Sequence, residues 1–552
     1  MAKVVRYRME IQGMTCTDCE HHVAKALSQA GGSNIQADFR RGEAILAASS
    51  DFSFDAARNR VAEAGYHVVG VRELVEETIR TLPRDDSTEY DWVVIGSGSA
   101  AFSSAIEARR LGARVAMIER GTIGGTCVNV GCVPSKTLLR AADLYHLAGN
   151  HPFSGLHIAQ ESIDLGALVE QKNDLVATLR QQKYEDLIAE YNIDLIHGEA
   201  HFVDNYRLQV DHRTLTSGHY LIATGTRPRI PDIVGLDQVT YLTSTSALEF
   251  TTVPSHLVVV GSGYIALELG QLFRRWGSRV TLIQRGQVLM PGYDAEIRQV
   301  IGEMLADAGI EVVLGARYRR VDQRDGLTAV EISVDGQVRV IQGDALLVAA
   351  GRVPNTEKLN LVAAGIQVGS AGEPVHNAML ETTNPRVYVA GDVTMGPQFV
   401  YVAAYEGKVA AQNALSGSFA KPIDLSVVPA VTFTQPSLAT VGFSQEQAER
   451  EGLAVKTSVL PLTAVPRALA NRETRGMIKL VADQDTGRIL GAQVVADNAG
   501  DVIYAATLAV KFKLTITDIT DTLAPYLTMA EGLKLAALTF DQDVDKLSCC
   551  AG

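Results

Sequence analysis

The six cysteines of this chain fall into three close pairs, Cys16 with Cys19, Cys127 with Cys132, and Cys549 with Cys550. Thiolates are soft ligands that select Hg(II), Cu(I) and Zn(II) over hard cations, and paired thiols also exchange electrons as dithiol and disulfide. In a reducing compartment such pairs point to metal or redox chemistry rather than to structural cross-links. Cys16 and Cys19 form a Cys-x-x-Cys within Gly13-Met14-Thr15-Cys16-Thr17-Asp18-Cys19. A thioredoxin-type redox pair has the same spacing but belongs to a different order of strand and helix. Cys127 and Cys132 lie in Gly124-Gly125-Thr126-Cys127-Val128-Asn129-Val130-Gly131-Cys132-Val133-Pro134-Ser135-Lys136 and lead into a helix expected around 137–147. Sulfurs brought together near a helix N-terminus have lowered pKa values and make ready thiolates. Cys549 and Cys550 precede Ala551-Gly552, where a segment is expected to be exposed and mobile, so they are better soft-metal ligands than structural elements.

Two further motifs supply a source of electrons. Asp91-Trp92-Val93-Val94-Ile95-Gly96-Ser97-Gly98-Ser99-Ala100-Ala101 and Leu257-Val258-Val259-Val260-Gly261-Ser262-Gly263-Tyr264-Ile265-Ala266 each read as strand, Gly-x-Gly-x-x-Ala, helix. In such a turn the glycines Gly96 and Gly98, or Gly261 and Gly263, let the backbone approach a pyrophosphate, which rests on the helix N-terminus, while Ala101 or Ala266 keeps the helix close to the sheet. Two dinucleotides are therefore implied. After the first motif, Arg114-Val115-Ala116-Met117-Ile118 ends in Glu119, a carboxylate placed for ribose hydroxyls, which fits the adenosine half of FAD. After the second, Arg279-Val280-Thr281-Leu282-Ile283 ends in Gln284-Arg285. A cation where the carboxylate would stand attracts a 2′-phosphate, so the nicotinamide cofactor is expected to be NADPH.

The elements that must position these residues imply several domains, because 552 residues exceed what one hydrophobic core organises. Residues 1–72 alternate strand-like and helix-like segments as a small α+β sandwich, and residues 73–89, charged and holding Pro83, read as a flexible tether. From Asp91 onward, short apolar strands alternate with Gly-rich turns and amphipathic helices, the pattern of doubly wound α/β domains. The hydrophobic fraction of 47% and charged fraction of 20% suit a folded, soluble protein. A net charge of −13 argues against nucleic-acid or anionic-membrane partners. The N-terminus has no signal-peptide core, and no run approaches the ~18 apolar residues of a membrane span, so no membrane insertion and a cytoplasmic location are expected.

The Cys-x4-Cys segment between two dinucleotide fingerprints resembles the pyridine nucleotide–disulfide oxidoreductases over about residues 90 to 545. That resemblance implies a redox-active Cys127–Cys132 disulfide, with Cys132 against the flavin and Cys127 the outer, interchange thiol. It implies that Leu221-Ile222-Ala223-Thr224-Gly225 closes the first FAD-binding half, that Asp392 of Val387-Tyr388-Val389-Ala390-Gly391-Asp392 bonds the ribityl chain, and that Thr126 also touches the cofactor. Tyr264 matches the tyrosine covering the flavin where nicotinamide enters, and Lys136 with Glu268 matches the charged pair near flavin N5. A homodimer is implied, in which Tyr526, Glu531 and Cys549-Cys550 of one subunit complete the site of the other. Residues 1–72 resemble heavy-metal-associated domains of metal chaperones and transport ATPases.

The expected fold is thus α/β: two doubly wound dinucleotide-binding domains plus an α+β C-terminal dimerisation domain, preceded by a small ferredoxin-like βαββαβ metal-binding domain. The expected boundaries are 1–72, a linker at 73–89, an FAD-binding domain at 90–235 and 356–425, an NADPH-binding domain at 236–355, and an interface domain with its cysteine tail at 426–552.

One departure from the family pattern narrows the substrate. Where the family carries His-Pro-x-x-x-Glu, this chain has Tyr526-Leu527-Thr528-Met529-Ala530-Glu531, and no histidine follows His376. Reducing a disulfide needs an acid to protonate the leaving thiolate, whereas reducing a bound soft cation does not. Tyr184 matches a tyrosine flanking the metal site in the members that reduce mercury. The resemblance therefore implies NADPH-dependent reduction of Hg(II) to Hg(0) through FAD and the dithiol, as mercury detoxification. Hg(II) is expected to arrive as thiol complexes, from a metal-delivering membrane transporter among other sources, on Cys16 and Cys19 or Cys549 and Cys550, and to pass to Cys127 and Cys132. An NADPH-dependent reductase of small or protein disulfides and a thiol-rich metal carrier stand as alternatives.

Overall fold

The computed structural model describes residues 4–39, 42–49, 52–74, 87–416, 421–543 and 546. Two compact units divide the chain, Met1–Pro83 and Arg84–Gly552.

In the first unit the order is β1 (Val4–Gln12), α1 (Thr17–Gln29), β2 (Ser33–Asp38), β3 (Glu43–Ser49), α2 (Phe54–Glu63) and β4 (His67–Leu74), with antiparallel sheet order β2-β3-β1-β4. The two-residue period of β1 sends Met9 and Ile11 inward, and the 3–4 spacing of Val23, Ala26 and Leu27 turns one face of α1 onto them. Each fully buried Leu or Val of this core contributes roughly 1.5–3 kcal/mol relative to exposure. Strand β2 has no clear counterpart in the residue pattern. It is an edge strand that pairs only with β3 through a register shift, so a single neighbour imposes little alternation on its residues. Of the expected tether, Glu73 and Leu74 close β4, and residues 75–86 lie outside the described residues.

The second unit opens with β5 (Tyr90–Ile95), α3 (Ser99–Arg110), β6 (Val115–Glu119), α4 (Gly125–Val130), α5 (Cys132–Asn150) and α6 (Leu165–Arg180). A π-helical turn (Gln181–Glu185) leads into α7 (Asp186–Glu190), followed by β7 (Asp194–His197), β8 (Ala200–Phe202), β9 (Arg207–Val210), β10 (Arg213–Ile222) and β11 (Thr226–Pro228). The first large sheet runs β7-β6-β5-β10-β9-β8. The near-continuous burial of β5 is that of a parallel strand covered on both faces.

The second nucleotide-binding layer comprises β12 (His256–Val260), α8 (Tyr264–Arg275), β13 (Arg279–Ile283), α9 (Ala295–Asp307) and β14 (Ile310–Val313). It also contains the antiparallel β15 (Arg317–Arg324), β16 (Leu327–Val334) and β17 (Gln337–Gly343), and then β18 (Ala345–Val348), giving a parallel order β14-β13-β12-β18. The chain then returns through β19 (Arg352–Pro354), which pairs with β11, and β20 (Val387–Val389), which joins β10 of the first sheet, before α10 (Val400–Leu415) packs on α3.

A five-stranded antiparallel sheet completes the unit: β21 (Ala430–Thr432), β22 (Ser437–Gly442), β23 (Val455–Pro461), β24 (Met477–Asp483) and β25 (Ile489–Ala496), ordered β21-β22-β25-β24-β23. Its apolar core is shared with the helices Ala499–Lys511 and Glu531–Leu538.

Two glycines show why the fingerprints need this residue. Gly96 has φ +112°, and a Cβ there would sit 2.4 Å from the Ala223 carbonyl oxygen. Gly261 has φ +120°, with the Ala349 carbonyl oxygen 2.3 Å from the equivalent position. Each first glycine thus permits both the left-handed turn and the strand-to-strand approach beneath it.

Candidate active site

The thiol helix begins earlier than the sequence periodicity indicates. Its first residue is Cys132 itself, and Cys127 rides on the short preceding helix α4, with Gly131 as the joint between them. Two successive helix starts fold the segment back on itself, so that the two thiols share a hydrogen bond. That bond is the largest cause pulling the Cys132 thiol down to about 7; burial opposes it and the Lys136 ammonium adds to it. Cys127 is pushed up, by its bond to the Cys132 sulfur, by burial and by the neighbouring charge. Of the two sulfurs, Cys132 is therefore the one favoured as thiolate and Cys127 the one favoured as thiol.

One turn along α5, Lys136 Nζ donates to Glu268 Oε2 at 2.7 Å and stands 4.5 Å over the Phe433 ring. The other Glu268 oxygen accepts from the Phe433 backbone N–H at 2.8 Å. Glu268 is thus locked at both oxygens, and its carboxylate orients the ammonium beside Cys132. Tyr264 opens α8 and lines the same cleft, a space of about 450 Å³ shared with Cys127, Cys132, Gly98, Thr126, Gly225 and Asp392. Burial raises the Tyr264 phenol above its ordinary range, with the Asp392 charge contributing.

The residues expected to hold FAD line two cavities. Gly98 caps α3, and Ala101 is fully buried in its first turn. Glu119 accepts from Ser97 Oγ at 2.5 Å and from the Gly121 N–H at 2.6 Å, at the rim of a second cavity lined by Gly96, Glu119 and Thr224. The Thr224 hydroxyl is buried with no hydrogen-bond partner among the described residues. An unmatched buried hydroxyl beside the Gly96 cradle suits a ligand rich in donors and acceptors, as a nucleotide is. At the other end, Asp392 accepts from Thr226 Oγ1 at 3.3 Å, and Arg352 donates to the same hydroxyl and to the Thr226 carbonyl, both at 2.7 Å. Burial raises the Asp392 carboxyl and lowers the Arg352 guanidinium. The Gly225 carbonyl accepts from the Asn355 N–H at 3.0 Å, tying the two chain segments together there.

The second cradle is plainer. Ser262, inside the fingerprint, has a buried hydroxyl with no partner among the described residues. Gly263 caps α8. Arg285 is exposed just past the end of β13 and makes no ion pair among the described residues, so its charge is available to a phosphate.

Tyr184 stands on the π-helical turn, where the extra residue re-aims the side chain. Its ring packs edge-on to Phe102 at 4.9 Å, and burial followed by the Cys127 charge raises its phenol. Tyr184 is therefore within electrostatic reach of the thiols. Tyr526 and Glu531 are not brought to that cleft within this chain. Tyr526 is exposed, and Glu531 accepts from the Leu527 N–H at 3.1 Å, shaping its own loop. Cys549 and Cys550 lie outside the described residues.

In the first unit, Cys16 Sγ is 3.0 Å from Cys19 Sγ, and the Thr15 N–H donates to Cys19 Sγ at 3.4 Å. The Cys19 thiol is lowered to about 6, first by that backbone donor, then by hydrogen bonds from Cys16 and from Tyr66. Cys16 is exposed and Cys19 buried, so a ligand can reach the pair from one side.

Ser97, Thr224, Arg352 and Phe433 were not foreseen as parts of the site. Ser97 lies inside the first fingerprint and Thr224 inside the segment 221–225, but at positions where any small residue satisfies the pattern. Arg352 and Phe433 arrive from segments far along the chain and carry no local signal.

Residues 90–407 match the pyridine nucleotide-disulphide oxidoreductase family, and residues 428–537 match its dimerisation domain. The chain is 56% identical to a mercuric reductase of Staphylococcus aureus over 99% of both chains, and 56% identical to one of Bacillus cereus, covering 99% of this chain and 87% of that relative. A mercuric reductase of Shigella flexneri is 42% identical over 99% of this chain and 100% of its own length. Among solved structures, the Cu(II) complex of the HOCl-induced flavoprotein disulfide reductase RclA from Escherichia coli aligns with a TM-score of 0.73 and 31% identity, over 80% of this chain and 98% of that one. With the thiol pair, the Lys136–Glu268 couple and the two nucleotide cradles, these likenesses settle its kinship: the chain belongs to the pyridine nucleotide-disulphide oxidoreductase family and, within it, to the mercuric reductases.

Proposed function

We infer that this chain catalyses the NADPH-dependent reduction of Hg(II) to Hg(0), the chemistry of mercury detoxification. The observation that carries the reading is the thiol pair, Cys127 on α4 and Cys132 at the head of α5, both lining a nucleotide-sized cleft beside Lys136 and Glu268. Bound FAD supplies two-electron transfer between NADPH and the substrate side of the cleft. Around it, Gly96, Gly98 and Glu119 would hold the adenosine half, and Thr126, Gly225 and Asp392 the flavin half. Gly261, Gly263 and Arg285 would hold NADPH, and Tyr264 would shield the flavin face until nicotinamide displaces it.

Cys132 and Cys127 act as ligands. Both sulfurs bind the soft cation as thiolates, giving up their proton, and when Hg(0) leaves the Lys136 ammonium offsets part of the negative charge on the two thiolates left behind. NADPH gives up a hydride and becomes NADP⁺, its proton passes to solvent, and Hg(II) gains the two electrons and departs as Hg(0). Stepwise thiolate exchange keeps two sulfurs on the cation throughout. Cys16 with Cys19, or Cys549 with Cys550, takes Hg(II) from small thiols or from a membrane transporter and passes it on in the cytoplasm. In the homodimer, Tyr526 and Glu531 complete the partner's site, with Tyr184 beside the cation. The domain limits for these roles are 1–72 for metal capture, 90–235 with 356–425 for FAD, 236–355 for NADPH and 426–552 for the interface.

The test is NADPH oxidation assayed separately with Hg(II) in excess thiol and with glutathione disulfide. Turnover with Hg(II) and little with the disulfide is expected. The reverse preference would make the chain a disulfide reductase, and a preparation without bound flavin would make it a carrier.

A further inference from the structure

Helices α5 and α8 carry matched polar stripes. On α5 these are Cys132, Lys136 and Asp143, and on α8 they are Tyr264, Glu268, Gln271 and Arg275, each following helical spacing that keeps one face. Lys136 pairs with Glu268, and Asp143 pairs with Arg275, at the same sequence offset of 132 residues. The two helices therefore run parallel and in register, with Cys132 and Tyr264 as their corresponding heads, both lining the cleft. Between the two pairs, Gln271 bonds both the N–H and the carbonyl of Gln435, at 2.7 and 3.1 Å, fixing α8 to the loop between β21 and β22 that also holds Phe433.

We propose that the Asp143–Arg275 pair is a positioning pair for the redox centre, holding the thiol helix and the NADPH helix in the register that keeps Glu268 on Lys136 and Lys136 beside Cys132. One polar contact between helices leaves them free to pivot. A second pair two turns on, roughly 10 Å away at 1.5 Å per residue, fixes their angle and sliding. Arg275 is only 9% exposed, and taking a guanidinium out of water costs much of what its ion pair returns. Its placement is better explained by geometric specification than by stability. The charges around it are Asp143 on α5 and Arg475, Glu473 and Asp497 from the C-terminal domain. Those facing Cys132 are Cys127, Lys136, Glu268, Arg352 and Tyr184. Neither Asp143 nor Arg275 is among the groups that move the Cys132 thiol most, so their main route to it is helix register. This inference rests on the reading of Cys132 as the flavin-side thiol.

The experiment uses flavin-loaded enzyme reduced by two electrons, and follows the thiolate-to-flavin charge-transfer absorbance against pH. Its midpoint reports the Cys132 thiol without turnover. Arg275→Met, close in shape and uncharged, should move that midpoint upward by about half a unit or more, because a loosened Lys136 stabilises the thiolate less. Asp143→Asn should move it the same way, and Arg275→Lys should restore at least half of the shift. The rate of flavin reduction should fall severalfold with the KM for NADPH unchanged. A lowered Tm with an unmoved midpoint in both Arg275→Met and Asp143→Asn would show a merely structural pair and overturn the proposal. Loss of the charge-transfer band in the unsubstituted enzyme would instead overturn the reading of Cys132.

Discussion

The two described cysteine pairs activate a thiolate by different means. In Met1–Pro83, Cys19 is lowered to about 6 by the Thr15 N–H, Cys16 and the Tyr66 hydroxyl, all of them uncharged donors. In Arg84–Gly552, Cys132 is lowered to about 7 by Cys127 and by a full positive charge on Lys136, which Glu268 orients. Neutral donors stabilise a thiolate wherever a ligand is caught, so the first pair suits capture and release. An ammonium held between a carboxylate and an aromatic face beside a nucleotide cleft suits a site where charge moves during the reaction. The spacing of cysteines distinguishes the pairs less than what surrounds the sulfur.

The largest effect should separate the pairs outright. Cys127→Ala or Cys132→Ala should lower Hg(II)-dependent NADPH oxidation by about a thousandfold or more, the equivalent of ~4 kcal/mol in the barrier, while FAD stays bound. Flavin absorbance and stopped-flow rates check this. Cys16→Ala with Cys19→Ala should change steady-state rates less than about twofold in excess thiol, since capture is then not limiting.

A third pair sharpens the contrast. Changing Cys549 and Cys550 together to Ala should cut turnover tenfold or more when Hg(II) is presented with competing thiols, an effect of ~1.4 kcal/mol read from kcat/KM. Full activity in that variant would give the delivery role to Cys16 and Cys19.

Electron supply concerns the core pair alone. Arg285→Glu should raise the KM for NADPH by about tenfold and that for NADH far less, because a carboxylate repels the 2′-phosphate. Measured with both nucleotides, an unchanged ratio would place phosphate recognition elsewhere.

The smallest effect is a pH offset. Both thiols lie below their ordinary value, so each thiolate is present above its own pKa and lost as pH falls through it. Alkylation of the reduced protein, followed residue by residue, should fall off near pH 6 at Cys19 and near pH 7 at Cys132. Coincident profiles would remove the distinction drawn from their surroundings.

Much of this site was legible because its motifs are local. A strand, two glycines and a helix repeat twice within short windows, and the end of the strand that follows, Glu119 in one copy and Gln284-Arg285 in the other, is where the proposed assignment of the two nucleotides rests. What escaped was of two kinds. The π-helical turn under Tyr184 and the short helix carrying Cys127 differ from an ordinary helix by one backbone hydrogen bond or one turn, which side-chain periodicity does not record. The Lys136–Phe433 contact, the Asp143–Arg275 pair and the Arg352–Thr226 bonds join residues more than a hundred positions apart. Such pairs acquire meaning only after the sheets have brought the segments together.

The most direct test of the account is a single turnover of enzyme whose cysteine pairs have first been reduced to dithiols, with one equivalent of Hg(II) and one of NADPH, trapping the volatile metal. The chain with Cys16→Ser and Cys19→Ser should release about one Hg(0) per NADPH oxidised, and the chain with Cys127→Ser and Cys132→Ser essentially none. Release of Hg(0) from the second variant and not from the first would contradict the assignment of reduction to the Cys127–Cys132 pair.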